Sequence, residues 1–258
     1  MLVYGNVEEC EKEYAKCFSE FYENEEIIRF RDNQLKDMYY HNFTSIKKAK
    51  SEIELKRIIE NEISLRLSEK NNFCNILSNF VINSSLLSSL KYRPEISANG
   101  YYSFDISHFA KLNALSGCII KRVDNKEMID DILYCDLQHD EKKLGRDFCT
   151  RRCYRRGKVY VSDKGANSYV CYHNGNIIGN CDLFIHNGVA KIEDFAVIPK
   201  YQRKGYGTTI LKSLIEIALK ENSHTIYLVT GEEDTAKEMY QKIGFNKIGE
   251  RTDLFFKI

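Results

Sequence analysis

No run of apolar residues in this 258-residue chain approaches the ~18 residues of a membrane span, so no membrane partner is expected. Charge of one sign is missing too. Lys and Arg number 38 against 37 Asp and Glu, and the formal net charge of +1 gives no global pull toward nucleic acid or an anionic surface. The first residues, MLVYGNVEECEKEYAK, lack a basic leader followed by an apolar stretch, so a secretory signal is not expected. The nine cysteines are an odd number, scattered over a chain too large to need staples. That usage suits a reducing cytoplasm better than a disulfide framework. What is present is 43% hydrophobic residues, enough for a buried core, and a length that allows one large domain or two ordinary ones.

Apolar periodicity and turn residues divide the chain. Residues 8–24 read as a charged helix and EIIRFRD at 26–32 as a strand. SEIELKRIIENEISLRLSEK at 51–70 reads as a helix whose apolar positions Ile53, Ile59, Ile63 and Leu67 recur near helical spacing. FCNILSNFVI at 73–82 and GYYSFDI at 100–106 read as strands, with a short helix, SSLLSSLKY, before Pro94. The polar patch SHFAKLNALSG at 107–117 is the expected domain boundary. Beyond it, CIIKRVD starts a strand, NKEMIDDILYCDLQHDEKKLG a helix, and the basic segment RDFCTRRCYRRGKVYVSDKG follows. Two strands, NSYVCYHN and NIIGNCDLFIHN, then meet at Gly175 in a hairpin-like turn. The order after residue 117 is strand, helices, three strands, helix, strand, helix, strand: a mixed α/β domain.

Glycine is sparse at 14 residues, yet two of them, Gly205 and Gly207, fall together in IEDFAVIPKYQRKGYGTTILKSL at 192–214, between a strand and an amphipathic helix. A dinucleotide fingerprint needs a third glycine at position 210, which is Ile210. A Walker loop needs a longer spacing and a Lys-Ser/Thr pair, also absent. What remains is Gln202-Arg203-Lys204-Gly205-Tyr206-Gly207. Glycines there let the backbone turn sharply and approach an anion. The N–H groups of a helix starting at Thr208 point at the same spot, and Arg203 and Lys204 add positive charge. On these six residues alone a pyrophosphate cradle and an ordinary strand-to-helix turn both stay open.

The surrounding stretches, AKIEDFAVIPKYQRKGYG and TIYLVTGEEDTAKEMYQKIGFNKIGE, resemble the GNAT superfamily of acyl-CoA-dependent N-acyltransferases. Three motifs stand in order: Val197-x-Pro199 ending a strand; Gln202, Gly205 and Gly207 in the loop; and Ala236, Tyr240, Gly244 and Phe245. The resemblance covers roughly residues 116–258 and implies an α/β (α+β) fold, a mixed, mostly antiparallel central sheet flanked by helices. Residues 1–115 are expected to form an N-terminal α/β accessory domain of unknown role. Its helix, strand, helix, strand order over 51–106 echoes the second half of such a fold without the phosphate loop. A degenerate, non-catalytic copy and an unrelated lid or acceptor-recognition domain both remain open.

The resemblance also implies chemistry: transfer of an acetyl group from acetyl-CoA to a primary amine, directly, in a ternary complex. The strand before the loop would carry a bulge and splay from TIYLV at 225–229. Pantetheine would lie in that opening against the backbone of Phe195, Ala196 and Val197, where an N–H would also hold the oxyanion. Gln202, Arg203, Lys204, Gly205, Tyr206, Gly207 and Thr208 would hold the pyrophosphate. Tyr240 matches the tyrosine that protonates the leaving thiolate. Strand alternation places Lys191, Glu193, Phe195 and Val197 on one face, which makes Glu193 the candidate base. Ile-Glu-Asp-Phe also looks like the Leu-Glu-Asp stretch of polyamine acetyltransferases, and Asp194 is the candidate contact to a cationic acceptor. One departure is Glu233, where the family commonly has Asn seven residues before the tyrosine.

Three other constellations carry less. Cys135, His139, Cys149 and Cys153 have spacings that could be forced into a zinc set, but no CxxC knuckle accompanies them and no metal is expected. Arg151, Arg152, Arg155, Arg156 and Lys158 form the densest positive run, readable as a solvated helix face or as a surface steering an acidic acceptor or RNA. A thiol-based enzyme using Cys171 or Cys181 lacks a paired histidine. The expectation is a cytoplasmic acetyltransferase, monomer or homodimer, with a small-molecule or peptide amine as acceptor and no nucleic-acid partner. The competing class is a non-catalytic acyl-CoA-binding regulatory module.

Overall fold

The computed structural model describes residues 2–80, 82–162 and 165–258. Met1, Val81 of the expected strand 73–82, and Asp163 and Lys164 at the end of the basic segment lie outside the described residues. In chain order the elements are α1 (Leu2–Phe18), β1 (Glu20–Glu23), β2 (Ile27–Arg31), β3 (Phe43–Ile46), α2 (Glu52–Ser68), β4 (Phe73–Ser78), α3 (Ser84–Ser89), β5 (Glu95–Phe104) and β6 (Cys118–Arg122). They continue with α4 (Lys126–Leu144), α5 (Arg146–Tyr160), β7 (Asn167–His173), β8 (Asn176–His186), β9 (Val189–Val197), α6 (Tyr206–Lys220), β10 (Thr225–Gly231), α7 (Ala236–Lys242) and β11 (Phe245–Lys257). Among the described residues no helix is long and apolar enough to cross a membrane. The chain divides into two compact units that interleave along the sequence, one of Met1–Phe18, Tyr102–Val229 and Glu238–Ile248, the other of Ser19–Tyr101, Thr230–Lys237 and Gly249–Ile258.

In the first unit β6, β7, β8 and β9 follow one another as antiparallel neighbours. Two tight turns make this possible. Asn174-Gly175 (φ 50° and 75°) joins β7 to β8, and Asn187-Gly188 (φ 47° and 74°) joins β8 to β9. Paired positive φ values match the right-handed twist of the flanking strands, and Asn and Gly reach them at least cost. β9 then leads through α6 into β10, which runs parallel to it. α6 buries Ile210, Leu211, Leu214, Ile215 and Ala218, each at most 1% exposed, which is the inward face its spacing predicts. Gly145 (φ 81°) separates α4 from α5, so the basic segment is a helix of its own. Residues 102–115, before the expected boundary, fall in this unit; there Phe104 meets Phe245 with ring centroids 5.2 Å apart.

The second unit repeats the plan on shorter strands. β1, β2 and β3 are antiparallel neighbours, β3 leads through α2 into the parallel β4, and β11 pairs antiparallel with β4. The helix expected over 8–24 stops at Phe18 because residues 20–23 pair with β2 instead. The Asn24 side chain accepts from the backbone N–H of Glu26 and Ile27 at 2.9 Å, closing that turn. α2 packs Leu55, Ile58, Ile59 and Ile63 against Ile27, Ile46, Ile76, Leu254 and Phe256. The expected apolar positions Ile53 and Leu67 point outward, 83% and 40% exposed, because the buried stripe runs through residues 55, 58, 59 and 63. β3 was not foreseen. Four residues between polar stretches carry too little periodicity to register as a strand.

Candidate active site

The strand entering the site is irregular where chemistry is expected. Asp182 of β8 stands opposite Glu193, and Asn180 opposite Ala196, so three steps on β9 face two on β8. The extra residue is a bulge, and Asp194 within it adopts φ 50°, in the left-handed region. Pairing of β9 with β10 runs from Val189↔Thr225 to Ile192↔Leu228, ending where the bulge begins. Gly179 lets β8 approach here, since a Cβ on it would come 2.1 Å from the Ala196 carbonyl oxygen.

The bulge corrects the expected common face of Lys191, Glu193, Phe195 and Val197. Lys191 lies against α1, its Nζ 2.6 Å from Glu11 and 4.6 Å from the Tyr14 ring centre, and Glu193 pairs with that Nζ at 3.0 Å. Phe195 and Val197 face α6 instead: a Cβ on Gly207 would lie 3.3 Å from Phe195 Cζ and 3.8 Å from Val197 Cγ2. One inserted residue reverses the alternation, so Glu193 and Phe195 reach the opening from opposite sides of the strand.

The loop after β9 is shaped by its own residues. Gln202 Nε2 donates to the Val197 carbonyl at 2.9 Å, and Lys204 Nζ to the Lys200 carbonyl at 2.9 Å. Arg203 (φ 60°) and Gly205 (φ 88°) turn the backbone into α6. Gly205 caps that helix with no side-chain hydrogen bond, and no acidic residue stands in the first turn, so no side chain of the helix start neutralises its N–H groups. Arg203 and Lys204 are exposed beside them, and Tyr206 is held by a 2.8 Å hydrogen bond to His173 Nδ1. Leu115 packs over Gly205 at 3.5 Å from a Cβ placed there, and its N–H donates to Thr209 Oγ1 at 2.9 Å. Thr208, beside them in the first turn, is half-buried.

Tyr240 sits on the short helix α7, 7% exposed, its ring 6.2 Å from Phe195 and 5.9 Å from Phe245. Gly244 has a structural reason. Its φ is 111°, and a Cβ on it would come 2.7 Å from His108 Cβ. The structure thus brings Phe195, Gly207 and Tyr240 together on the α6 side, while Glu193 lies across β9 in its pair with Lys191.

Asp194 is held by a residue that the sequence pattern did not single out for it. Arg156 of α5 places Nη1 2.5 Å from Asp194 and Nη2 2.6 Å from Asp182, whose carboxylate also accepts from Tyr160 OH at 2.6 Å. Burial pushes the Asp182 carboxyl above its ordinary range; Arg156 draws it back in part and Asp194 adds to the rise. Arg156 stays a cation despite its burial, raised well above its ordinary value by Asp194, Tyr160 and Asp182. Arg152 is likewise buried, 3.0 Å from Asp136 and 2.6 Å from Asp140. Neither arginine therefore belongs to a solvated face or a steering patch. Arg151 pairs with exposed Asp147, and Arg155 donates to the Phe18 carbonyl. A lone acid in the apolar strand NIIGNCDLFI was the available signal, since a buried carboxylate calls for a buried cation.

Eight of the nine cysteines are buried, and Cys118 is half-buried. Burial pushes Cys171 up to about 12 and Cys181 well above its usual value, so neither is a thiolate at neutral pH. Cys135, Cys149 and Cys153 are buried, and Cys153 donates to the Ile129 carbonyl. Among the described residues no three His, Cys, Asp or Glu side chains are grouped to hold a metal.

The fold has known counterparts. The acetyltransferase (GNAT) family matches the chain over residues 128–245. Those residues are a GNAT acetyltransferase domain. Across nearly the whole length, the chain is similar to the uncharacterized N-acetyltransferase CgeE of Bacillus subtilis (strain 168), 24% identical over 266 residues and covering 94% of each chain. A crystal structure of a functionally unknown conserved protein from Staphylococcus epidermidis shares the fold, with a TM-score of 0.77, 19% identity and coverage of 93% of this chain and 94% of that one. A tandem GNAT protein from the clavulanic acid biosynthesis pathway does so at a TM-score of 0.58 and 10% identity, covering 97% of this chain and 95% of that one. The family match and the relatives' names support an acyltransferase, and the fold shared with a tandem GNAT protein fits the repeated plan of the two units.

Proposed function

We propose that the GNAT domain transfers an acetyl group from acetyl-CoA to a primary amine, directly, within a ternary complex. The observation that carries this reading is the pairing of a bulged β9 with an uncapped, glycine-led start of α6. Together they offer backbone donors for a thioester and for a pyrophosphate at adjoining places. The N–H groups of Gly205, Tyr206, Gly207 and Thr208 bind the pyrophosphate, and Gln202 fixes the loop while Arg203 and Lys204 add charge. The backbone of Phe195, Ala196 and Val197 lines the pantetheine and holds the oxyanion. The fit rests on Gly207, where any Cβ would press on Phe195.

Tyr240, beside Phe195, gives its proton to the departing thiolate. Glu193 takes the amine's proton, through water, from its place beside Lys191. Asp194, partly exposed at 29% and paired with Arg156, forms the rim that meets a cationic acceptor. The second unit, built mainly from Ser19–Tyr101, serves as a degenerate, non-catalytic copy of the same plan. The protein acts in the cytoplasm as a monomer or homodimer.

Turnover with a panel of amines, measured for wild type and Tyr240→Phe, tests the catalytic part. Loss of the acid is expected to slow turnover about 10²-fold or more while acetyl-CoA still binds. Equal turnover in the two proteins would remove Tyr240 from the mechanism. Binding of acetyl-CoA without turnover of any amine would favour the regulatory-module reading.

A further inference from the structure

The bulge in β9 has to be held. Asp194 occupies the left-handed region at φ 50°, which residues with a Cβ enter at a steric cost. A strand without the bulge would keep Glu193 and Phe195 on one face and continue alongside β10. The clearest support at the bulge comes from across it. Arg156 spans two carboxylates with its planar fork, Nη2 on Asp182 of β8 and Nη1 on Asp194 of β9. Asp182 stands opposite Glu193, immediately before the irregular register, so one guanidinium ties the two strands together where they fall out of step. The far end of this clamp is itself fixed. Asp182 accepts from Tyr160, Arg156 donates to Tyr14 at 3.3 Å, and Asn180 Nδ2 donates to the Asp194 carbonyl at 3.4 Å.

We propose that Arg156 is a positioning residue for the cofactor strand: through Asp194 it locks the β9 bulge and so aims the backbone of Phe195, Ala196 and Val197 at the acyl-CoA. The inference rests on the acetyl-CoA reading above and deepens it. Arg156 touches neither substrate in this account. It acts through the conformation of one residue, and that gives the claim an unusual signature, since glycine at position 194 should do what the clamp does.

The test is a series at position 194 in the full chain, which leaves the Arg156–Asp182 pair intact and is expected to fold. Two readouts are taken: hydrogen exchange of the 192–197 amides without ligand, and calorimetric affinity for acetyl-CoA. Asp194→Ala loses both the carboxylate and the tolerance of positive φ, and should raise exchange and weaken binding, each by about tenfold. Asp194→Gly should recover most of both losses, and Asp194→Asn, which tolerates the left-handed region and can still accept from Arg156, should lie nearest wild type. Arg156→Lys keeps the charge but not the fork, and its affinity should improve when Asp194→Gly is added. Equal behaviour of the Ala and Gly variants, in a wild-type background that binds acetyl-CoA, would overturn the positioning role alone. A wild type that binds no acetyl-CoA would overturn the transferase reading and the cofactor half of this proposal, whatever the exchange data show.

Discussion

Two strand–helix–strand crossovers in this chain, β3–α2–β4 and β9–α6–β10, share a parallel topology and differ at the start of the helix. In β3–α2 the helix start is closed by its own sequence. Ser51 caps the helix, accepting from the Glu54 N–H at 3.2 Å, and the Glu54 carboxylate reaches back to the Lys50 N–H. With Glu52 also in the first turn, this terminus already carries its negative charge. In β9–α6 the corresponding places hold Gly205, Tyr206 and Thr208, with neither a side-chain cap nor an acid. The strands differ to match. β3 pairs with β4 along its whole length, whereas pairing of β9 with β10 ends at Ile192 and the bulge follows. One plan thus gives a self-satisfied helix in one unit and a donor-rich opening in the other, and the difference lies in about six residues of each.

The comparison can be broken by moving residues between the two. Thr208→Glu puts at the third helical position of α6 the residue type that α2 has there, Glu54. A carboxylate folding back on those N–H groups should reduce acetyl-CoA affinity about 100-fold while the thermal midpoint stays level or rises. Unchanged affinity would show that the open terminus is not what binds. The reciprocal change is small. Ser51→Ala removes the cap of α2 and should cost about 1 kcal/mol, or ~2–4 °C in Tm, leaving acetyl-CoA affinity untouched. A fall in affinity on that change would tie α2 to the cofactor and erase the contrast.

Much of this was legible in the chain, and the rest was hidden for identifiable reasons. The element order after residue 117 and the buried face of α6 follow from periodicity, because α6 repeats its apolar positions at helical spacing from Ile210 to Ala218. The loop was legible because Gly205 must take a positive φ that few other residues accept. The facing of Glu193 was not, since alternation holds only until a residue is inserted and no residue type announces the insertion at Asp194. Arg152 and Arg156 read as surface charge because their partners Asp136, Asp140, Asp182 and Asp194 are 12 to 38 residues away in sequence, on other elements. The interleaving of the units was hidden likewise, as strand partners such as β4 and β11 stand far apart in the chain.

The claim that only one of two equivalent crossovers became a cofactor site is tested most directly by the stoichiometry of acetyl-CoA binding to the full chain, read by calorimetric titration. One molecule per chain, abolished or sharply weakened by Thr208→Glu, is the predicted result. Two molecules per chain, or one that survives Thr208→Glu, would contradict it.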